Sequence, residues 1–456
     1  MSSALVRLVL PDVQDLLREG APDDVAKAFE KFHAADLADV MQLLEDEDAS
    51  KLLLGLVEPQ RTEAFELLDT PKRQAIAVIA GAPALAPIVV NMSHDDRADF
   101  VGNLPDELRE QLLPLLPEEE REDVDLLTTY EVDTAGGIMT SAYVALDPDM
   151  SVEQAIERVR ATAAEQETIY ALFVIDGRGV LRGVVTMRQL ILSPPQALIH
   201  EIMIEDPISI SVDMDQERVV KQLGRYDFVA IPVIDGRGRM LGIVTHDDAL
   251  DVAIEEANED AQLMGGLEPL DDPYLATGLL TLVRKRAVWL AVLFVAGMFA
   301  GSILRSFEET LQRAVALIFF LPLIIASGGN SGSQSASLVI RGLAVGEVSL
   351  TDGLRIARRE LASGMILGGL LGTFGIGVSY LWLDDWLPVA TTVWLTLVAI
   401  VTVGSLLGSL LPLGLQRLGI DPAITSAPLV ACLVDIAGIL IYVLVAGCFI
   451  PVGGAG

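Results

Sequence analysis

The chain has only two cysteines in 456 residues, Cys432 and Cys448. Both lie in the last apolar segment, so there is no disulfide framework and no CxxC metal pair. Basic residues are scarce: 31 Lys and Arg stand against 64 Asp and Glu, a net charge of −33. A nucleic-acid binder needs a basic surface to displace phosphate counterions, and that surface is missing. No Gly-Lys pair occurs, which excludes the GxxxxGK[ST] loop of an ATP-driven pump. The four histidines, His33, His94, His200 and His246, make no HExxH motif, because His200-Glu201 runs on into Ile202-Met203-Ile204. A zinc protease within the membrane is thereby excluded. The opening run Leu5, Val6, Leu8, Val9, Leu10 is cut short by Pro11 and Asp12 and has no small-residue cleavage site, which argues against a signal peptide.

What is present divides in two. The chain is 52% hydrophobic with a mean hydropathy of +0.48, too apolar for a soluble protein of this charge. Residues 1–270 hold 21 Lys and Arg against 53 Asp and Glu, whereas residues 271–456 hold 10 against 11. An acidic soluble half therefore precedes an apolar half. At roughly 100–200 residues per domain, the length accommodates two to four domains.

A bilayer core about 30 Å thick needs about 20 apolar helical residues. The uncharged stretches are 287–304, 314–340, 361–383, 386–416 and 436–456, the last extending back past Asp435. They predict five membrane-spanning helices. Basic residues flank the cytoplasmic ends of such helices. Arg284, Lys285 and Arg286 precede the first span, Arg341, Arg355, Arg358 and Arg359 follow the second, and Arg417 follows the fourth. The loop between the third and fourth is acidic (Asp384, Asp385), and that between the first and second is mixed (Arg305, Arg313, Glu308, Glu309). This places the N-terminus in the cytoplasm and the C-terminus outside, in an inner (plasma) membrane. Gly297/Gly301, Gly364/Gly368/Gly372 and Gly404/Gly408 have the spacing that lets helix backbones approach closely.

The soluble half contains a duplication. Val174-Ile175-Asp176-Gly177-Arg178-Gly179 returns as Val233-Ile234-Asp235-Gly236-Arg237-Gly238, and Gly183-Val184-Val185-Thr186 returns as Gly242-Ile243-Val244-Thr245. Each copy reads as helix, strand (Ala171–Ile175, Ala230–Ile234), Asp-Gly turn, strand, helix. The pattern resembles a tandem pair of cystathionine-β-synthase-type (CBS) domains, regulatory modules that bind nucleotides or ions in many families. Residues 1–135 carry leucine pairs (Leu43/Leu44, Leu52/Leu53, Leu67/Leu68, Leu112/Leu113, Leu126/Leu127) separated by Pro59, Pro71, Pro105 and Pro117, which predicts an α-helical, superhelical domain. Asp247–Leu263 reads as one long acidic helix, and Asp272-Pro273 ends any continuation.

Two places carry chemistry. The second span includes Pro322 and the polar run Ser327-Gly328-Gly329-Asn330-Ser331-Gly332-Ser333-Gln334-Ser335. Irregular backbone at membrane depth survives only when buried in protein or lining a wet cavity. Freed carbonyls and amides there would coordinate an ion or its water shell. The same residues would also serve a glycine-rich packing face. The fifth span holds Asp435 among Leu433, Val434, Ile436 and Ala437, with Asp421-Pro422 and Pro428 breaking the chain just before. A carboxylate at that depth costs about 2.5–3.5 kcal/mol, and no Lys or Arg lies in the uncharged stretches to offset it. A bound cation is the natural compensation.

Pro322 through Ser335, Arg341-Gly342-Leu343-Ala344, and Asp421-Pro422-Ala423 with Pro428, Asp435, Gly438 and Tyr442 resemble the MgtE-type magnesium transporter family. The domain order matches as well. The expected organisation is a helical domain over 1–135, CBS copies over 136–196 and 197–254, an acidic connecting (plug) helix over 255–280, and a five-helix transmembrane domain over 281–456. The resemblance implies no enzyme but a homodimer whose pore, at the subunit interface, is lined by the second and fifth spans. It implies a Mg²⁺-selective channel for magnesium uptake, closed by cytosolic Mg²⁺. Asp435 would be the main pore ligand, beside Gly328, Gly329, Asn330, Gly332 and Gln334. Asp95, Asp99, Glu217, Asp227, Asp248, Asp251, Glu256, Glu259 and Asp260 match the family's sensor positions. ATP at the CBS pair is a further expectation. Mg²⁺ sheds water reluctantly and keeps several waters beside one or two carboxylates, which suits one aspartate per subunit. Ala427, Ala431 and Cys432 depart from the more polar stretch usual before the fifth-span aspartate. The alternatives are a transporter of Co²⁺ or Mn²⁺ and a non-conducting Mg²⁺ sensor. Clustered carboxylates repel one another and bridging cations compact them, so neutralising Glu256 and Glu259 should leave the channel open at high internal Mg²⁺.

Overall fold

The leucine pairs of the first half divide their burial as helical faces require. Leu52 and Leu53 are both fully buried, while Leu44, Leu68 and Leu127 are buried beside exposed Leu43, Leu67 and Leu126. They belong to a series of short helices, from α1 (Ser3–Glu19) through α5 (Gln60–Glu66), α6 (Thr70–Ala80) and α8 (His94–Gly102) to α10 (Glu118–Leu127). The prolines sit where a missing N–H costs nothing. Pro59, Pro105 and Pro117 occupy N-cap positions, and Pro71 lies in the first turn of α6. The computed structural model describes residues 3–19, 22–163, 166–270, 273–275, 277–308, 315–384 and 386–449. The expectations at Asp272, Glu309, Arg313 and Asp385 fall outside these residues.

The duplication forms two small sheets. In the first, β1 (Tyr143–Leu146) runs parallel to β2 (Thr168–Ile175). β2 pairs antiparallel with β3 (Leu181–Thr186), and β3 with β4 (Ile204–Glu205). α11 (Val152–Thr162) intervenes and α12 (Met187–Leu192) follows. In the second, β5 (Ile210–Ser211) runs parallel to β6 (Ala230–Ile234), which pairs antiparallel with β7 (Met240–Thr245); α14 (Gln216–Tyr226) lies between β5 and β6. The repeated Asp-Gly turns are built by the aspartate. Asp176 accepts the N–H groups of Arg178 and Val180, and Asp235 those of Arg237 and Arg239. The positive φ falls on the second glycine of each copy, Gly179 (78°) and Gly238 (77°), where an L residue would be strained.

The acidic helix α15 runs from His246 to Met264, so it begins inside the second CBS copy and stops well short of residue 280. A Schellman closure ends it. Gly266 takes φ +73° and donates to the Leu263 carbonyl, and the Leu267 N–H reaches back to Gln262.

The apolar half has five helices long enough to cross a bilayer: α16 (Leu279–Ser306), α17 (Val315–Ala344), α18 (Gly353–Trp382), α19 (Trp386–Arg417) and α20 (Ala427–Phe449). They extend past the uncharged stretches, because charged residues occupy the end turns. α18 therefore contains Glu360, so Asp435 is not the sole carboxylate within a span.

The backbone of the second span is not irregular. α17 is helical throughout, with Pro322 inside it. Its glycines serve packing. A Cβ on Gly328 would meet Ile400 at 2.6 Å and Val434 at 2.9 Å, and a Cβ on Gly332 would meet Val430 at 2.8 Å. Facing them, a Cβ on Gly404 would lie 2.5 Å from the Gly328 carbonyl oxygen, and one on Gly408 would collide with the Gly332 carbonyl. Two glycine pairs one turn apart thus press α17 and α19 backbone to backbone. Neighbouring helices, not freed carbonyls, accommodate the polar run. Gly364 and Gly368 do the same for α18, where a Cβ would meet the Cα atoms of Thr402 and Val398 at 2.6 Å. Gly297 and Gly301 on α16 have nothing within 4 Å among the described residues.

Candidate functional site

Within the membrane half, α20 begins after a short 3-10 turn at Pro422–Ile424. Asp421 caps that turn by accepting the Ala423 N–H (2.8 Å). The Ser426 hydroxyl accepts the Leu429 N–H (3.4 Å), with Pro428 in the first turn of α20. Two turns on, Asp435 lies half-buried against α17. A Cβ on Gly329 would sit in ordinary contact 3.8 Å from Asp435 Oδ1, which places the carboxylate beside the α17 backbone. Below it, Tyr442 is fully buried and donates to the Leu317 carbonyl (2.7 Å), pinning α20 to α17. Asn330 and Gln334, one turn apart on α17, are exposed and make no hydrogen bond among the described residues. Ser333, Gln334, Ser337 and Leu338 line an open groove of about 450 Å³. Of the expected pore residues, Asp435 and Gly329 adjoin each other, Asn330 and Gln334 share an open face, and Gly328 and Gly332 lie in the helix packing behind them. The end of α15 reaches this assembly: Leu263 is part of the same core, and a Cβ on Gly266 would meet Pro428 at 3.3 Å and Ser426 Oγ at 3.4 Å.

In the soluble half the carboxylates gather where α8 meets the start of α15. Asp95 Oδ1 is buried with no hydrogen-bond partner. Burial first, then the Asp248 charge, push the Asp95 carboxyl well above its usual range. Asp248 is pushed up to about 6, again chiefly by burial, although it accepts from the Thr245 hydroxyl. Glu167 joins this group. Burial and the charges of Asp248, Asp247 and Asp96 raise it to about 7. Asp99 is nearby, ion-paired to Arg73 (3.5 Å) and facing Glu255. Glu256 accepts from Gln216 Nε2 (2.7 Å) and faces Glu217, which itself pairs with Lys221 (2.7 Å). Burial and Asp247 raise Asp251. Farther along α15, Glu259 is exposed and Asp260 half-buried. No three His, Cys, Asp or Glu side chains among the described residues converge tightly enough to hold a bare metal ion. What the arrangement fits is a hydrated divalent cation, which needs only one or two carboxylates. The unpartnered Asp95 oxygen is the group that fits it best. Sequence reasoning misses Glu167, and Asp96, part of the same acidic run as Asp95 and Asp99, is absent from the sensor positions that the resemblance marks. Glu167 lies just before β2, remote in sequence from every other member, with no local pattern to mark it.

A pH dependence follows. Glu66, its carboxylate accepting the Ser93 N–H, is also raised to about 7, chiefly by burial. For Glu66 and Glu167 the folded state holds protons that the unfolded state releases near 4.5. Their raised values therefore destabilise the folded state above neutrality, and stability rises as pH falls from 8 to 5. At about 1.4 kcal/mol per pKa unit, the half-buried Glu66 contributes on the order of 3 kcal/mol, and the exposed Glu167 adds less because solvent screens it. Limited proteolysis of the full-length chain without Mg²⁺ should cut residues 1–256 faster at pH 8 than at pH 6, and millimolar Mg²⁺ should protect more at pH 8. Equal protection at both would contradict the assignment.

The remaining acidic candidate, Asp227, lines an apolar cleft of about 410 Å³ between the CBS copies, with Tyr170, Phe173, Thr186, Asp206 and Phe228. Asp227 (φ 53°) and Asp206 (φ 47°) are the two non-glycine residues with positive φ among the described residues. Such conformations cost energy and cluster at ligand sites.

Comparison with known proteins bears on all three regions. The family model described as divalent cation transporter, MgtE, matches residues 321–445, the MgtE intracellular N domain matches 32–133, and CBS domains match 135–194 and 199–255. The chain is 38% identical over 437 residues to "Magnesium transporter MgtE" of Thermus thermophilus, covering 95% of this chain and 97% of that protein. It is 32% identical over 438 residues to the protein of the same name in Bacillus subtilis, covering 95% and 96%. The crystal structure of the cytosolic domain of the Mg²⁺ channel MgtE in complex with ATP superposes with a TM-score of 0.51 at 34% identity, covering 53% of this chain and 99% of that one. With a family model on each soluble region and on the membrane helices, and whole-chain relatives above 30% identity, the chain belongs to the MgtE family of divalent cation transporters.

Proposed function

We propose that this chain is a Mg²⁺-selective channel that closes when cytosolic Mg²⁺ rises. The observation that carries the reading is Asp435, a carboxylate within a membrane span set against the Gly329 backbone, with Asn330 and Gln334 on the open face of the same helix. A second copy would supply the facing wall and the second carboxylate, so the working form is a homodimer with the pore on its axis. One aspartate from each copy, with amide groups beside it, suits an ion that keeps its water shell. The basic residues flanking the spans favour a cytoplasmic N-terminus and an outer C-terminus.

Closure uses the soluble carboxylates. Buried like charges at Asp95 and Asp248 oppose compaction, and a hydrated divalent cation between them removes the penalty. Each cation binds the compact state better, so several weak sites make a steep response. Asp99, Glu217, Asp227, Asp251, Glu256, Glu259 and Asp260 would contribute further sites. The end of α15 against Pro428 and Ser426 offers the route from sensor to pore helix. The cleft bearing Asp206 and Asp227 would take the base and ribose of ATP, the nucleotide in complex with the solved cytosolic domain. Uptake of Mg²⁺, Mn²⁺ and Co²⁺ into proteoliposomes tests the reading: Mg²⁺ should be preferred, and a preference for another ion would overturn it.

One observation favours the second reading, transport of a softer ion. Cys432 lies one turn before Asp435 and is half-buried, placing a sulfur near the carboxylate. If Cys432 borders the water path, a small methanethiosulfonate reagent should block most of the flux in a C448S background and leave C432S/C448S untouched. Unimpaired flux after complete labelling of Cys432 would place it outside the path.

A further inference from the structure

Three serines on α17 each hydrogen-bond a different helix. Ser331 Oγ lies 2.8 Å from Ser405 Oγ of α19. Ser333 Oγ donates to the Ala427 carbonyl at the start of α20 (3.2 Å). Ser335 Oγ donates to Glu360 Oε2 of α18 (2.7 Å). The first two contacts are neutral. The third ends on a carboxylate within a span. Ser335 is only 6% exposed, and Glu360 is half-buried. A hydrogen bond to an ionised acceptor is roughly twice as strong as a neutral one, and stronger again away from bulk water.

We infer that Glu360 is a positioning residue of the conduction path, fixing through Ser335 the rotation of α17 and hence the direction in which Asn330 and Gln334 project. The inference rests on the transport reading above. Gly328 and Gly332 hold α17 close to α19 but, lacking side chains, do little to stop it turning. The serines supply that restraint. Successive helical residues turn by about 100°, so a residue that anchors Ser335 also aims its neighbour Gln334. A 30° rotation would carry a side-chain atom 5–6 Å from the axis by about 3 Å, a whole hydrogen-bond length. Glu360 acts through Ser335: its Oε2 accepts in the contact between α17 and α18, while Asn330 and Gln334 lie on the exposed part of α17.

The test compares wild type, E360L, E360Q, S335A and the double variant S335A/E360L in proteoliposomes. Each is assayed for Mg²⁺ and Mn²⁺ uptake against concentration and for thermal midpoint in detergent. E360Q keeps an acceptor oxygen and discards the charge. The expected result is a half-saturating Mg²⁺ concentration raised about tenfold in both E360L and S335A, with reduced preference for Mg²⁺ over Mn²⁺. The double variant should be no worse than either single one, and E360Q should stay within about threefold of wild type. Wild-type affinity and preference in S335A would overturn the inference. So would an E360Q as impaired as E360L, since the charge would then act on the ion directly. Should E360L fail to fold, S335A, which removes one oxygen, decides the matter alone. A wild type that moves no ion overturns the transport reading and this inference together, whereas a conducting wild type with an unaffected S335A overturns this inference only.

Discussion

Asp435→Ala lowers Mg²⁺ flux by at least about 100-fold, since each lost bond to a charged group is worth about 1.5–3 kcal/mol and a dimer loses two. The position leaves little room for another role. No basic side chain bonds or pairs with Asp435 among the described residues, and its neighbours on α20 are apolar. A carboxylate at membrane depth costs a few kcal/mol on insertion scales, so a protein that merely needed to pack α20 would be more stable with alanine there. The variant should therefore insert and fold at least as well as wild type while failing to conduct. Asp435→Asn separates charge from shape: it fits the same space beside Gly329 and should be nearly as inactive. Flux surviving in Asp435→Asn would mean that the ion is held by backbone and amide oxygens alone, and that the pore ligand is misassigned.

Asp95→Asn/Asp248→Asn raises the Mg²⁺ concentration for half-closure about tenfold, corresponding to about 1.4 kcal/mol of lost coupling between ion and compact state. The sign depends on two opposed effects. Neutralising the pair relieves repulsion and so favours the compact state even without Mg²⁺. It also removes the ligand that makes Mg²⁺ bind the compact state better, and only that difference can move the equilibrium. The double variant should thus respond weakly at both ends, conducting somewhat less at low Mg²⁺ and closing less at high Mg²⁺. A curve with unchanged midpoint and steepness would remove this pair from the sensor and leave gating to the carboxylates farther along α15. On the proposed reading, the ion is the partner that Asp95 Oδ1 otherwise lacks.

Much of this was legible in the sequence because its signals are local. The duplicated Asp-Gly turns encode their own geometry, since the aspartate that starts each turn accepts the turn's backbone N–H groups. Five apolar runs specify five helices because a bilayer permits few alternatives. The glycine run on α17 misled for a physical reason. Glycine and serine weaken an isolated helix, which suggested irregular backbone, but Gly404 and Gly408 on a helix far along the chain accept close contact and keep α17 regular. That information lies in a pair of segments and in neither alone. Glu360 falls just outside the uncharged stretch 361–383, and only the hydrogen bond from Ser335 brings it into the helix bundle. Glu167 is the same case in the soluble half, a loop carboxylate whose neighbours come from α8 and α15. The acidic helix read over Asp247–Leu263 is α15 to within one residue at each end, and Gly265-Gly266 closes it, whereas the connecting segment drawn to residue 280 runs past that closure.

The most direct test of the account is Mg²⁺ uptake by wild-type protein in liposomes, with Mg²⁺ varied independently on the face carrying the soluble half. The account predicts rapid uptake when that face is depleted of Mg²⁺ and a steep fall as its concentration enters the millimolar range. Uptake indifferent to Mg²⁺ on that face would contradict the gating claim, and no uptake at any concentration would contradict the channel itself.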